Sequence, residues 1–114
     1  MAKFPRQNRL LKSTEFDAVF QKRRTLRAEN VALHYFFTPN ENARLGIIAP
    51  KKGLKRAVER NRFKRIAREV FRQMELPAVD VILRFTPKKA RLLESQKAPL
   101  ALELRALFAR LKNL

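Results

Sequence analysis

Residues Lys51 to Arg72 read KKGLKRAVERNRFKRIAREVFR. From about Ala57 onward, Phe63, Ile66, Ala67, Val70, Phe71 and Met74 recur at spacings of three and four, which places one apolar stripe along a helix. At roughly 100° per residue, Asn61, Lys64, Arg65, Arg68 and Arg72 gather on the opposite side. The run holds Lys51, Lys52, Lys55, Arg56, Arg60, Arg62, Lys64, Arg65, Arg68 and Arg72, ten of the chain's 27 basic residues, against Glu59 and Glu69. One side enters a core and the other is a cationic rod. Arg68 lies three residues from Arg65 and four from both Lys64 and Arg72, spacings at which like charges cost about 0.2–0.5 kcal/mol each, and only Glu69 is placed to offset Arg65. A merely solvated face is the plain alternative, but a helix that keeps such repulsion is poised for a polyanion. Its arginines suit forked contacts to phosphate oxygens.

The composition points the same way. With 114 residues the chain is read as one domain, residues 1–114, able to bury one modest core, and 46% hydrophobic content with nine Phe argues for a folded protein. A net charge of +17 implies a nucleic acid or another anionic partner. The absence of cysteine removes disulfides and thiolate chemistry. No apolar stretch approaches the ~18 residues of a membrane span, and MAKFPRQNRLLK carries no apolar signal core, so a cytoplasmic protein with no membrane partner is expected.

Residues 1–12 read as a basic, extended arm. Ser13 or Thr14 begins a helix to about Lys22 with Phe16, Val19 and Phe20 on one side. Val31 to Thr38 and Arg44 to Ala49 are strand-like, and the turn signal Pro39-Asn40-Glu41-Asn42 between them predicts an antiparallel hairpin. Leu76-Pro77 halts the basic helix, Val79 to Phe85 reads as a third strand, and Leu100 to Leu111 as a last helix.

Period-two geometry gives these strands unequal faces. Val31, Leu33, Tyr35 and Phe37, Leu45, Ile47 and Ala49, and Val79, Val81, Leu83 and Phe85 form an apolar face for helices to cover. The other face mixes Ala32, His34 and Phe36, Arg44, Gly46 and Ile48, and Asp80, Ile82 and Arg84. Aromatic and cationic groups on an open sheet can stack and hold unpaired bases; a solvated face partly covered by the first helix is the alternative.

Catalytic equipment is sparse. His34 is the only histidine, the two glycines Gly46 and Gly53 make no phosphate-cradling loop, and the ten acidic residues are scattered. No catalytic residue, metal ligand or small-molecule substrate is expected of the chain itself, so any bond breaking belongs to a partner.

The segment Ala57-Val58-Glu59-Arg60-Asn61-Arg62-Phe63-Lys64-Arg65-x-x-Arg68-Glu69-x-Phe71-Arg72 resembles the RNR signature of the bacterial ribonuclease P protein subunit. Arg9-Leu10-Leu11-Lys12 followed by Phe16 and Phe20, Arg44-Leu45-Gly46 ahead of Lys51-Lys52, and Leu76-Pro77-x-x-Asp80 extend the likeness over nearly the whole chain. The resemblance implies an α/β (α+β) two-layer sandwich of αβββαβα order, like the second domain of a small-subunit ribosomal protein. It also implies a short first strand near Thr25 to Arg27 and a left-handed crossover carrying the RNR helix, against the usual right-handed rule. It further implies a protein that assists a catalytic RNA in removing the 5′ leader from precursor tRNA, with Mg²⁺ held mainly by the RNA. Lys51, Lys52, Lys55, Arg56, Arg60, Asn61, Arg62, Lys64, Arg65 and Arg68 would then contact ribonuclease P RNA. Phe16, Phe20, His34, Phe36 and Lys52 would line a cleft for the leader, His34 standing where some members place another aromatic. A non-catalytic RNA-binding protein of ribosomal or chaperone type shares the charge and the fold and is the competing reading.

Overall fold

A computed structural model describes residues 13–22, 24–37, 42–52, 54–86 and 97–114. The elements run α1 (Ser13–Gln21), β1 (Thr25–Arg27), β2 (Val31–Phe37), β3 (Arg44–Ile48), α2 (Ala57–Gln73), β4 (Val79–Phe85) and α3 (Lys97–Lys112). This is the expected αβββαβα order, including the short β1 that periodicity did not find. The basic arm of residues 1–12 and most of the Pro39–Asn42 turn lie outside the described residues.

One four-stranded sheet has the order β1-β2-β4-β3. The expected β2–β3 hairpin does not form. β4 inserts between the two, pairing antiparallel with β2 and parallel with β3, with α2 as the connection across the parallel pair. The cause lies in β4 itself, where Val79, Asp80, Val81, Ile82 and Leu83 are buried in succession, so both of its faces are covered and it takes an inner position.

The apolar face behaves as its alternation requires. Leu33, Leu83 and Leu45, with Val31, Val81 and Phe85, pack under Phe63, Ile66, Ala67, Val70 and Phe71 of α2 and Leu104, Leu107, Phe108 and Leu111 of α3. Phe63 and Phe85 meet with ring centroids 5.2 Å apart, and Phe71 and Phe108 at 5.9 Å. Phe37, at the end of its row, stays 41% exposed. α3 is fixed at the β1 end by polar contacts: Glu103 accepts from the Asn30 backbone N–H at 2.9 Å and from Asn30 Nδ2 at 3.0 Å, and Arg110 Nη1 donates to the Arg27 carbonyl at 3.0 Å.

α1 lies on the opposite face. Val19 is buried against Ile82, ringed by the partly buried Phe16, Phe20, Phe36 and Ile48. That contact is small, and Arg44 adds to it: its Nε and Nη2 donate to the two Asp80 oxygens at 2.8 and 2.7 Å, and Nη1 donates to Glu15 at 2.6 Å. Among the described residues no helix is long and apolar enough to cross a membrane.

Candidate nucleic-acid interface

α2 begins with its own lock. Leu54, fully buried, seats the approach to the helix in the core. The Arg56 N–H donates to Glu59 Oε1 at 3.0 Å, which satisfies one of the otherwise orphaned donors of the first turn. Arg60 Nη1 donates to the carbonyls of Leu54 and Lys55 at 2.8 and 2.9 Å. Arg60, expected to face RNA, thus has one nitrogen engaged in holding the helix entrance. Past the far end, Glu75 adopts φ 48°, the left-handed turn that closes helices and that glycine favours.

Between these ends the helix keeps its cationic side to solvent. Asn61, Arg65, Arg68 and Arg72 are exposed along one line, with Arg62 and Lys64 half-buried beside them. At ~1.5 Å per residue the line is about 16 Å long. Neither Arg65 nor Arg68 makes an ion pair among the described residues, and Glu69 does not pair with Arg65 as its spacing allowed. Lys51, Lys52, Lys55 and Arg56 are exposed between β3 and the helix, which continues the positive surface toward the sheet.

The second face of the sheet carries the aromatic group. Phe20 meets His34 edge-on with centroids 4.9 Å apart, and Lys22 Nζ sits 4.9 Å above the Phe36 ring. Phe16 and Phe20 are half-buried rather than enclosed, so part of each ring packs on Val19 and Ile82 and part remains available. Four of the five residues expected to line a cleft are therefore brought to one face; Lys52 is exposed beyond β3.

His34 sits in an unusual setting. The Thr25 hydroxyl lies 3.1 Å from its Nδ1, while its buried Nε2 has no hydrogen-bond partner among the described residues. Burial lowers its pKa from the usual 6.5, and the charges of Arg84 and Arg27 lower it further. Asp80, hydrogen-bonded to Arg44, instead raises the pKa of that guanidinium, against the opposing effect of burial and with further help from Glu15. Periodicity did not reveal the Glu15–Arg44–Asp80 network, because its members lie far apart in sequence. The placement of Arg44 and Asp80 on the same strand face was the available signal.

The family model described as Ribonuclease P matches residues 4–112. The ribonuclease P protein component of Azoarcus sp. (strain BH72) is 45% identical over 106 residues, covering 91% of this chain and 86% of that protein. The corresponding protein of Chromobacterium violaceum is 41% identical over 113 residues, covering 96% and 89%. The solved structure of the Staphylococcus aureus RNase P protein superposes with a TM-score of 0.80 at 23% identity, over 92% of this chain and 95% of that one, and shares its fold.

Proposed function

Because this chain belongs to the bacterial ribonuclease P protein family, we propose that it packs ribonuclease P RNA and precursor tRNA together in the cytoplasm while the RNA cleaves the 5′ leader. The observation that carries this reading is the line Asn61, Arg65 and Arg68, exposed on α2 with both arginines outside any ion pair among the described residues. Such a line costs stability in the free protein and regains it when phosphates neutralise it. Lys51, Lys52, Lys55, Arg56, Arg60, Arg62 and Lys64 extend the same RNA contact.

Phe16, Phe20, His34, Phe36 and Lys52 hold the single-stranded leader, the rings by stacking on bases and the lysine by attraction to phosphate. Contacts to the leader exist with precursor and not with product, so they favour the substrate that still carries it. In this reading the polypeptide contributes no reacting group. Magnesium ions sit mainly on the RNA; among the described residues no three His, Asp or Glu side chains are grouped to hold a metal.

The test is the affinity of the complex reconstituted with ribonuclease P RNA for precursor and for mature tRNA. Tighter binding of the precursor that disappears when the protein is omitted supports the reading. Equal binding of the two, with the protein merely raising both, favours a structural RNA-binding protein.

A further inference from the structure

α1 packs against β2 and β4, and the β1 side of the second face carries charge that this helix does not neutralise. Strand register sets Arg27, Ala32 and Arg84 in one row, with Thr25, His34 and Ile82 in the next. Arg27 and Arg84 thus flank a residue with almost no side chain, two strand spacings apart or about 10 Å between their Cα atoms. Neither forms an ion pair among the described residues. Two nitrogens here are buried without a hydrogen-bond partner among the described residues, Arg84 Nε and His34 Nε2. Buried polar nitrogens without a partner call for an explanation, and a ligand that reaches both is a physical one.

We propose that Arg27, Arg84 and His34 form a binding site for one phosphate group of a single-stranded RNA backbone. This rests on the reading that the leader runs along the second face. Arginine forks match phosphate oxygens, and the neighbouring carboxylates are committed elsewhere: Asp80 and Glu15 to Arg44, and Glu103 to Asn30. Arg84 is half-buried, so an anion meets its outer nitrogens first and then draws Nε and His34 Nε2 toward its oxygens. These two side-chain nitrogens break no existing bond to do so. With the Thr25 hydroxyl donating to His34 Nδ1, the neutral ring carries its proton on Nε2 and donates it to a phosphate oxygen, and the negative charge brought beside the ring favours the imidazolium, so occupancy and protonation rise together.

The groups facing His34 support that coupling. β1 supplies Thr25 and Arg27, β4 supplies Ile82 and Arg84, and α1 supplies the Phe20 ring, with Lys22 held over Phe36 beyond it. Asp17 of α1 is exposed and Glu15 is engaged by Arg44. In the free protein burial, and after it Arg84 and Arg27, oppose a charge on the ring. A bound phosphate reverses the balance.

His34 is the chain's sole histidine, so its ring protons titrate as one assignable NMR signal. The titration is followed in the free full-length chain, with inorganic phosphate, with a short oligouridylate, and with the same oligonucleotide bearing uncharged methylphosphonate linkages. The expected result is a midpoint below 6.5 in the free protein, raised by about one pH unit with the charged oligonucleotide and little by the uncharged one. Arg84→Met raises the free midpoint and removes most of the oligonucleotide-induced rise. Arg27→Met, at an exposed position that does not endanger folding, weakens oligonucleotide binding about tenfold.

An unmoved midpoint overturns the site. So does an equal rise with the uncharged oligonucleotide, an undiminished rise in Arg84→Met, or a response to inorganic phosphate alone. If the reconstituted complex still prefers precursor over mature tRNA in that event, only this site fails; if the preference is absent as well, the leader reading fails with it.

Discussion

Arg44 grips Asp80 with two parallel hydrogen bonds of 2.8 and 2.7 Å and reaches from the same guanidinium to Glu15 on α1. The network ties a nine-residue helix to the sheet from which it would otherwise be held by little more than Val19. Removing one partner of such a pair leaves the other charged and poorly solvated. Arg44→Met is expected to lower unfolding stability by about 3 kcal/mol in urea titrations, with Asp80 the stranded group. A loss near zero would mean that α1 is held by its rings alone.

Glu75 closes α2 in the left-handed region with φ 48°, where a β-carbon is costly. Glu75→Gly should therefore stabilise the protein by about 1 kcal/mol despite the freedom glycine adds to the unfolded chain, read as a higher melting midpoint. A destabilised variant would contradict this account of how the helix ends.

His34 makes stability depend on pH. Its folded-state pKa lies below the 6.5 of an unfolded chain, so between those two values the unfolded state binds more protons. The stability contributed by a neutral ring is present above pH 6.5 and is lost as pH falls toward the folded value. Denaturation midpoints should drop on acidification through this window, and His34→Gln should flatten that drop. An identical slope in the variant would show that other groups produce it.

The readable and unreadable parts of this fold divide along physical lines. The α2 stripe is legible because Phe63, Ile66, Ala67, Val70 and Phe71 meet one core at helical period, and all five are buried. β1 is three residues long with no buried position, too short for any alternation to register. The hairpin expectation failed because closeness in sequence suggested β2–β3 pairing, whereas the near-continuous apolar run of β4 was the better guide to the central position. At the interface, the exposure of Arg65 and Arg68 followed from the pattern, while the engagement of Arg60 with Leu54 and Lys55 carbonyls needed coordinates. The rings of Phe16 and Phe20 are half core and half surface, a division that spacing alone does not express.

On the proposed reading, phosphate neutralisation along α2 is expected to give RNA binding a steep salt dependence. Arg65→Ala and Arg68→Ala should each weaken RNA binding without changing sequence preference and reduce the magnitude of the log–log salt slope by about 0.7, the single-strand value per phosphate. Affinity measured across a range of potassium chloride reads both effects; an unchanged slope would remove that residue from the contact.

Phe20→Ala tests the proposed leader contact of its ring. Loss of leader contact lowers affinity for precursor tRNA and leaves mature tRNA unaffected. Equal losses for both would assign the ring to packing against Val19 and Ile82 alone.

The most direct measurement is the rate of leader removal by a bacterial ribonuclease P RNA at low magnesium, with and without this chain, as ionic strength is raised. The account predicts that the chain accelerates cleavage at low salt, that the acceleration fades as salt screens it, and that the RNA-free polypeptide cleaves nothing. Cleavage by the polypeptide alone, or an acceleration indifferent to salt, would contradict it.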